Sequence, residues 1–192
     1  MKYLIKSLLF CCLFIFGISC SKIDLTPKNK IVNSVFVIYQ GNHYCEANNY
    51  RKVETDELRF TVKFDSSAIY QTALPENQED INKLYGFSDN ESDHHVFSAR
   101  FGWRWSNQAL HLFTYVYNNG ELSYQEIGTI EIGTEYTCSI KVKATSYIFS
   151  INHITLETPR SSTTVMAKGY KLYPYFGGNE VAPHDIRIRI QE

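Results

Sequence analysis

Residues 97–117 read FSARFGWRWSNQALHLFTYVY, and this stretch decides the fold. Apolar side chains recur at every second position on both sides of the dipeptide Asn107-Gln108. A period of two is the pattern of a half-buried β-strand, and a two-residue break between two such runs predicts a β-hairpin. The stretch therefore predicts two antiparallel strands that share one tight turn and one apolar face.

The two-residue turn also fixes which side chains face each other. It pairs Trp103 with Leu112 on the inner face and Arg100 with Tyr115 on the outer face. The outer face then carries these side chains: Arg100, Arg104, His111, Phe113, Tyr115 and Tyr117. So much aromatic surface on an outer face has two interpretations. Either the face binds a ligand, or it is a second buried face that residues 74–95 cover.

The same period recurs along most of the chain, which contains 14 Tyr and 12 Phe but only 2 Met. Ten strands are predicted, at 35–39, 58–64, 96–105, 110–117, 121–132, 136–142, 147–151, 163–167, 170–175 and 186–190. Their short connections predict an all-β fold, a two-sheet antiparallel β-sandwich of the jelly-roll type. Residues 74–95 interrupt the pattern and predict a large acidic loop with a short helix at 78–84.

The hairpin after residue 117 has two open interpretations, because residues 118–120 (Asn-Asn-Gly) suit two loop lengths. A three-residue loop places Leu122 and Tyr124 in the core and points Glu126 inward. A two-residue loop sets Glu126 beside Phe113 on the outer face. Periodicity favours the first loop without deciding between them.

The N-terminus has the organisation of a secretory signal. Lys2 and Lys6 precede the uncharged run Leu8–Ile18, which is too short to span a bilayer core of roughly 30 Å. The run ends in the residues Gly-Ile-Ser-Cys at 17–20, which resemble the lipobox of bacterial lipoproteins. The resemblance implies cleavage before Cys20 and a lipid on its sulfur. The alternative is an ordinary signal peptide with a chance cysteine.

These features predict three segments and a compartment. Residues 1–19 form the signal peptide, residues 20–32 a lipid-anchored tether, and residues 33–192 the β-sandwich domain. The expected location is the bacterial cell envelope, as an outer membrane lipoprotein that is periplasmic or surface-exposed. The membrane is then one partner of the chain, through the lipid anchor.

Cleavage removes Lys2 and Lys6 and leaves 17 basic against 20 acidic residues. This balance gives no argument for nucleic acid as a partner. Cys45 and Cys138 are the thiols that remain beyond Cys20. In an oxidising compartment they form a disulfide or lie as two separately buried thiols, and their spacing does not decide between these outcomes.

The C-terminal part contains three segments in a distinctive order: YIFSIN at 147–152, LYPYFGG at 172–178 and DIRIRI at 185–190. This order resembles the closing strands of concanavalin A-like jelly rolls, a group with laminin-G-like modules, legume-type lectins, family-16 glucanases and some polysaccharide lyases. The resemblance covers roughly residues 103–190. It implies two curved antiparallel sheets that hold ligands on the concave face or on its rim loops.

The catalytic motifs of the enzymes in that group are incomplete here. The glucanases carry an E-x-D-x-(x)-E strand, whereas the nearest acidic run, at 89–93, falls in a predicted loop. The alginate-lyase-like members carry an Arg-rich strand, a Gln-x-His strand and a Tyr-containing strand. Comparable residues occur here in this order: Arg100, Arg104, His111, and Tyr173 or Tyr175. Because the Gln is missing and Pro174 interrupts the last motif, we predict no catalytic residues.

Two groups of residues suggest metal binding. Asp89, Glu91 and Asp93 have the one-three-five spacing of a calcium loop, but His94 stands where the motif needs Gly. His94 and His95 would point to opposite faces of a strand and so would not serve one ion. We therefore predict a solvated acidic loop, with no metal site and no cofactor.

The sequence thus predicts a lipid-anchored domain that is lectin-like and binds a glycan without catalysis. The predicted binding surface is the outer face with its arginines and aromatic rings, because Arg donates to sugar carboxylates and hydroxyls. One alternative is a polysaccharide lyase or glycoside hydrolase that acts on the concave face. The other is a structural or protein-interaction lipoprotein without a small ligand.

Overall fold

A computed structural model describes residues 33–192 of the chain. The predicted signal peptide, the predicted lipid site at Cys20 and the predicted tether all lie outside the described residues. Among residues 33–192, no helix is long and apolar enough to cross a membrane.

Twelve β-strands form two six-stranded antiparallel sheets within the described residues. The first sheet contains, in spatial order, β1 (Asn33–Ile38), β12 (Ile186–Gln191), β3 (Glu57–Phe64), β8 (Glu135–Val142), β9 (Ser146–Ile151) and β10 (Ile154–Pro159). The second contains β2 (Lys52–Thr55), β11 (Ala167–Leu172), β4 (Asn82–Ser88), β5 (Phe97–Ser106), β6 (Ala109–Asn118) and β7 (Glu121–Ile130). The predicted two-sheet jelly-roll sandwich is confirmed.

The core lies between the two sheets and is rich in aromatic rings. Phe101 of β5 packs edge-to-face on Phe60 of β3 and on Phe149 of β9, with ring centroids 5.7 and 5.1 Å apart. All three side chains are at most 2 % exposed. Burying a side chain of this size contributes roughly 1.5–3 kcal/mol. Because Phe101 belongs to one sheet and Phe60 and Phe149 belong to the other, these contacts hold the two sheets together.

The β5–β6 hairpin has the predicted register. Trp103 pairs with Leu112 and Arg100 pairs with Tyr115. Asn107 and Gln108 have φ angles of 50° and 62°, the left-handed values that a type I′ hairpin turn requires. The two predictions from residues 97–117, strand pairing and face assignment, are therefore confirmed.

The β6–β7 hairpin has the two-residue loop. Its central residues Asn119 and Gly120 both have positive φ, 52° and 84°, so they too form the turn that suits a hairpin. Glu126 pairs with Phe113, after a bulge between Leu112 and Phe113. The three-residue alternative, which places Leu122 and Tyr124 in the core, is wrong. The strand β7 is an edge strand and leaves most of its side chains exposed.

The segment predicted as a large loop is instead part of the second sheet. Residues 75–79 form a short 3-10 helix, and β4 then runs through the sheet between β11 and β5. The predicted α-helix at 78–84 is wrong, as is the predicted strand at 163–167, and β2 and β10 were not predicted. Nearly every residue of β4 is buried, so its sequence does not alternate.

The two cysteines outside the N-terminal segment are free thiols, and both are buried. Burial raises the pKa of Cys45 to about 11 and that of Cys138 to about 12. Of the two alternatives, the structure has the two separate thiols rather than the disulfide.

Candidate functional site

The six side chains predicted for the outer face all lie on β5 and β6 of the second sheet, facing away from the core between the sheets. Phe113 and Tyr115 pack with Ile81 in a separate small cluster, which Tyr117 borders. Arg100 and Tyr115 are only 7 % and 8 % exposed. The face is thus partly covered, and residues of the segment 74–95 do part of the covering, as the second interpretation of this face predicted.

One end of this face is held by contacts within the protein. The guanidinium of Arg104 donates to the backbone oxygen of Glu79 and pairs with its carboxylate, both at 2.8 Å. The ring nitrogens of His111 face the Glu126 carboxylate at 2.8 Å and the Ser106 carbonyl at 3.1 Å. Arg104 and His111 therefore already have charged partners within the protein.

The centre of the face is different, because Arg100 has no acidic partner among the described residues. Its Nη2 donates to the backbone oxygen of Tyr173 at 3.1 Å, while its buried Nε has no partner. Gly86 of β4 pairs with Arg100, and the two strands are so close there that a methyl group on Gly86 would overlap the Arg100 backbone and Cβ. Burial lowers the pKa of Arg100 to about 10.

Lys83 of β4 lies beside Arg100 and adds a second cation. Its Nζ donates to the Gly177 carbonyl at 2.9 Å and lies 5.2 Å from the ring centre of Tyr115 and 5.7 Å from that of Tyr175. Burial, and secondly the charge of Arg100, lower the pKa of Lys83 to about 8. No ion pair joins Lys83 to a carboxylate within residues 33–192.

Tyrosine rings surround the two cations. Tyr115 packs on Tyr117 with ring centroids 6.0 Å apart, and burial raises the pKa of Tyr115. Tyr175 stacks on His43 at 5.2 Å and meets Tyr44 edge-to-face at 4.9 Å. Two rings point to solvent on opposite sides of this centre. They belong to Tyr44, which is 62 % exposed, and Tyr124, which pairs with Tyr115 and is 58 % exposed.

This arrangement can hold an anion. Arginine and lysine donate to carboxylates, and a charge-assisted hydrogen bond in a partly buried position is stronger than one in water. The Tyr115 and Tyr175 hydroxyls are further polar groups beside the cations. Sequence reasoning missed Lys83, because its strand was predicted as loop, and it noted Tyr175 only through the family resemblance.

The acidic run does not form a calcium site. Asp89 is fully buried, and its carboxylate binds the Nε of Arg160 at 2.8 Å and the hydroxyl of Tyr147 at 2.6 Å. Burial raises the pKa of the Asp89 carboxyl, but the hydrogen bonds from Arg160 and Tyr147 outweigh it, so the pKa is lowered overall. The prediction that Asp89, Glu91 and Asp93 form one solvated loop is wrong for Asp89.

The histidine pair also differs from the prediction. Residues 94–96 form a turn rather than a strand, and the rings of His94 and His95 lie on the same side with centroids 4.1 Å apart. The premise that adjacent histidines point to opposite faces holds for a strand and fails in this turn.

Comparisons with known proteins place the fold. No protein-family model matches the chain, and no curated protein matches it. Among solved structures, the alginate lyase AlyC3 superposes with a TM-score of 0.57 and 11 % identity, over 82 % of this chain and 73 % of the lyase. A family-16 glycoside hydrolase of Bacteroides ovatus gives 0.51 and 12 %, over 81 % and 77 %. The family-7 alginate lyase A1-II′ gives 0.50 and 9 %, over 82 % and 77 %. These likenesses show a concanavalin A-like jelly roll.

Proposed function

We propose that this chain is a lipid-anchored protein of the bacterial cell envelope whose jelly-roll domain binds an acidic glycan. The observation that carries the proposal is the juxtaposition of buried Arg100 and half-buried Lys83, neither of which forms an ion pair with a carboxylate among the described residues. A buried charge without a counter-charge costs several kcal/mol and adds nothing to stability. The carboxylate of a uronic acid supplies the missing charge.

The exposed tyrosines fit a sugar chain on either side of this charge. A sugar ring presents an apolar C–H face, and ligand sites combine such apolar contacts with a few placed polar groups. Tyr44 and Tyr124 offer exposed rings on opposite sides of the Arg100–Lys83 centre. A bound oligosaccharide would pack on these rings while one carboxylate reaches the cations.

The structural neighbours support a ligand of this class. Two are alginate lyases, and one of them, AlyC3, is also solved in complex with dimannuronate. The B. ovatus neighbour is solved with a glucan product. At identities near 11 %, these likenesses concern the fold, so the acidic ligand rests on the charges of this chain rather than on its neighbours.

Glycoside hydrolysis is not favoured by the site. Most such enzymes place two carboxyl groups on either side of the scissile bond, one as acid and one as base or nucleophile. On the described part of this face, Glu126 is bound to His111 and Glu79 is bound to Arg104. Neither carboxylate lies free beside Arg100.

A β-eliminating lyase is the second candidate function, and Lys83 is the observation that favours it. A lysine whose pKa is lowered to about 8 has a sizeable fraction of neutral amine near neutral pH. Such an amine can take the proton next to the uronate carboxylate while Arg100 stabilises the enolate, and the bond to the leaving sugar oxygen then breaks. The leaving oxygen needs a proton donor, and Tyr175, whose ring centre lies 5.7 Å from Lys83 Nζ, is the candidate.

A screen of acidic and neutral polysaccharides with the purified chain tests the proposal. We expect binding to polyuronates and none to neutral glucans, with a loss of at least about thirtyfold in affinity in Arg100→Met, because truncating a buried charge contact costs 2–5 kcal/mol. Arg189→Met, an exposed arginine on the other sheet, is the matched control. Binding to no glycan, or equal binding by Arg100→Met, would contradict the proposal and favour a protein partner.

Detection of a product in the same incubation distinguishes lyase activity from glycan binding alone. A lyase generates an unsaturated sugar with strong ultraviolet absorbance, and this signal should vanish in Lys83→Met. Glycan binding without any such signal leaves the non-catalytic function in place. Lys63→Met, an exposed lysine on the first sheet, is the control for this variant.

The lipid anchor is a separate part of the proposal, supported by the lipobox-like residues that end at Cys20. Cells fed a clickable fatty acid should label the wild-type chain, which should fractionate with membranes. Cys20→Ala should lose both properties. Labelling that persists in Cys20→Ala would show that this cysteine is not the anchor site.

A further inference from the structure

A turn just before β5 brings three metal-ligating side chains together at consecutive positions. One ligand atom each from Asp93, His94 and His95 lies within 4.8 Å of the others. The Nδ1 atoms of His94 and His95 lie 3.8 and 3.5 Å from Oδ1 of Asp93. The backbone N–H groups of Val96 and Phe97 both donate to the Asp93 carbonyl and close the turn. The backbone of the turn therefore places all three side chains on the same side of the turn.

The spacing of these atoms suits a small divalent ion. Zinc binds nitrogen and oxygen ligands at about 2.0–2.2 Å in tetrahedral geometry, which places two ligand atoms about 3.3–3.5 Å apart. The two distances from the Asp93 carboxylate to the histidine nitrogens are within about half an ångström of this value. The Asp93 carboxylate also accepts the backbone N–H of His95 at 2.8 Å, which holds it toward the two rings.

Tyr170 of β11 contacts the ring of His94 and holds it in place. The backbone N–H of His94 donates to the Tyr170 hydroxyl at 3.2 Å, and the same hydroxyl lies 2.8 Å from Nδ1 of that ring. The hydroxyl either donates to Nδ1 or accepts from it, and an ion bound to Nδ1 would replace this contact. A neutral imidazole with a lone pair on this nitrogen is the form that binds a metal ion.

We propose that Asp93, His94 and His95 bind a divalent transition metal ion of the zinc type. Two imidazoles and one carboxylate are ligands that zinc accepts, and three protein ligands leave a position for water or for a ligand. The side chains of His94, Asp93 and His95 are 32 %, 61 % and 68 % exposed, so the ion is reached directly from solvent. The inference goes beyond the proposed function and does not depend on it.

The position of this turn connects it to two surfaces. His95 packs edge-to-face on Tyr117 at 5.4 Å, so the ion would lie at the end of the face that carries Arg100. Asp93 also lines a cavity of about 760 Å³, together with Tyr50 and Tyr170. An ion there would place positive charge where this cavity and the outer face meet.

Calorimetric titration of the full chain with zinc sulfate tests the inference, with protein that carries no polyhistidine tag. We expect one saturable site, and a loss of affinity of at least tenfold in His95→Ala and in Asp93→Asn. The second variant keeps an oxygen that can accept the His95 N–H, so it separates ligation from turn formation. His153→Ala, an exposed histidine in the β9–β10 turn, is the control and should bind like wild type.

Cobalt absorption gives a second readout, since d–d bands report the coordination geometry of the ion. The wild-type chain and His153→Ala should show the same bands, which His95→Ala should lose. The absence of saturable zinc binding would overturn the inference. So would zinc binding or cobalt bands that are unchanged in both His95→Ala and Asp93→Asn, because the ion would then be held by other groups.

Discussion

Two buried arginines in this protein, Arg160 and Arg100, have opposite surroundings. Arg160 forms an ion pair with Asp89 in which both side chains are fully buried, and its other nitrogens donate to Ser162, Thr164 and nearby backbone oxygens. Arg100 is nearly as buried, but it has one backbone acceptor, an unpartnered Nε and a second cation, Lys83, as its neighbour.

This difference separates a charge with a structural partner from a charge that we propose binds a ligand. The carboxylate of Asp89 is also satisfied on both oxygens, by Tyr147, Asn90, Thr164 and Lys168 as well as by Arg160. Such a network holds its segments in one arrangement, whereas Arg100 and Lys83 keep hydrogen-bonding capacity that the described residues leave unused. The Arg160–Asp89 network should therefore govern stability, and the pair of Arg100 and Lys83 should govern binding.

The largest expected effect concerns the structural pair. Arg160→Met should lower the free energy of unfolding by about 3–5 kcal/mol, because it leaves the Asp89 carboxylate buried without its cation. Chemical denaturation monitored by fluorescence gives this value. Arg59→Met, whose ion pair with Glu57 lies at the surface, should change it by less than about 1 kcal/mol. Equal effects of the two substitutions would refute the structural part of the comparison.

The pH dependence of stability should report the same pair. Because the pKa of Asp89 is lower in the folded state, its contribution is fully present above the unfolded value of about 3.9 and is lost as pH falls through the folded pKa. Denaturation midpoints measured from neutral to acidic pH should therefore fall steeply in the wild type. In Asp89→Asn the midpoint should start lower and depend less on pH, and a wild-type slope in this variant would contradict the assignment.

Arg100→Met should have a much smaller effect on stability than Arg160→Met. It removes one hydrogen bond to a backbone oxygen but also relieves the burial of an uncompensated charge, so we expect a change within about 1 kcal/mol of zero. The same denaturation experiment measures it. A loss as large as that of Arg160→Met would mean that Arg100 is a structural residue and would break the comparison.

The smallest expected effect is a change of glycan affinity with pH. Lys83 has a pKa lowered to about 8, so its charge is present below that pH and is lost above it. Affinity for an acidic oligosaccharide should therefore fall severalfold as pH rises through 8. Lys83→Met should bind more weakly at neutral pH and show no step there. A step of the same size in this variant would assign the titration to another group.

The sequence is sufficient to predict strand register and face where the decisive information is local. The register of residues 97–117 follows from alternation and a two-residue turn, and it places Arg100 and Tyr115 correctly on the outer face. Lys83 could not be found in this way, because its strand is buried on both faces and does not alternate. The partner of Asp89 is 71 residues away, so no local spacing distinguishes a structural aspartate from a solvated one.

The charge balance around Arg100 was equally beyond sequence analysis. The presence of an arginine on the face is visible in the sequence, but only the folded chain shows that Arg100 forms no ion pair with a carboxylate of residues 33–192. Likewise, His94 and His95 converge only because the chain turns at these residues instead of extending.

The most direct test of the central claim compares an oligouronate with its carboxyl-reduced counterpart in calorimetric titrations of the wild type and of Arg100→Met. The two sugars differ only in the charge that Arg100 and Lys83 are proposed to bind. The wild type should bind the uronate and bind the reduced sugar at least tenfold more weakly, and Arg100→Met should lose this preference. Equal affinity of the wild type for both sugars, or an unchanged preference in Arg100→Met, would contradict the account.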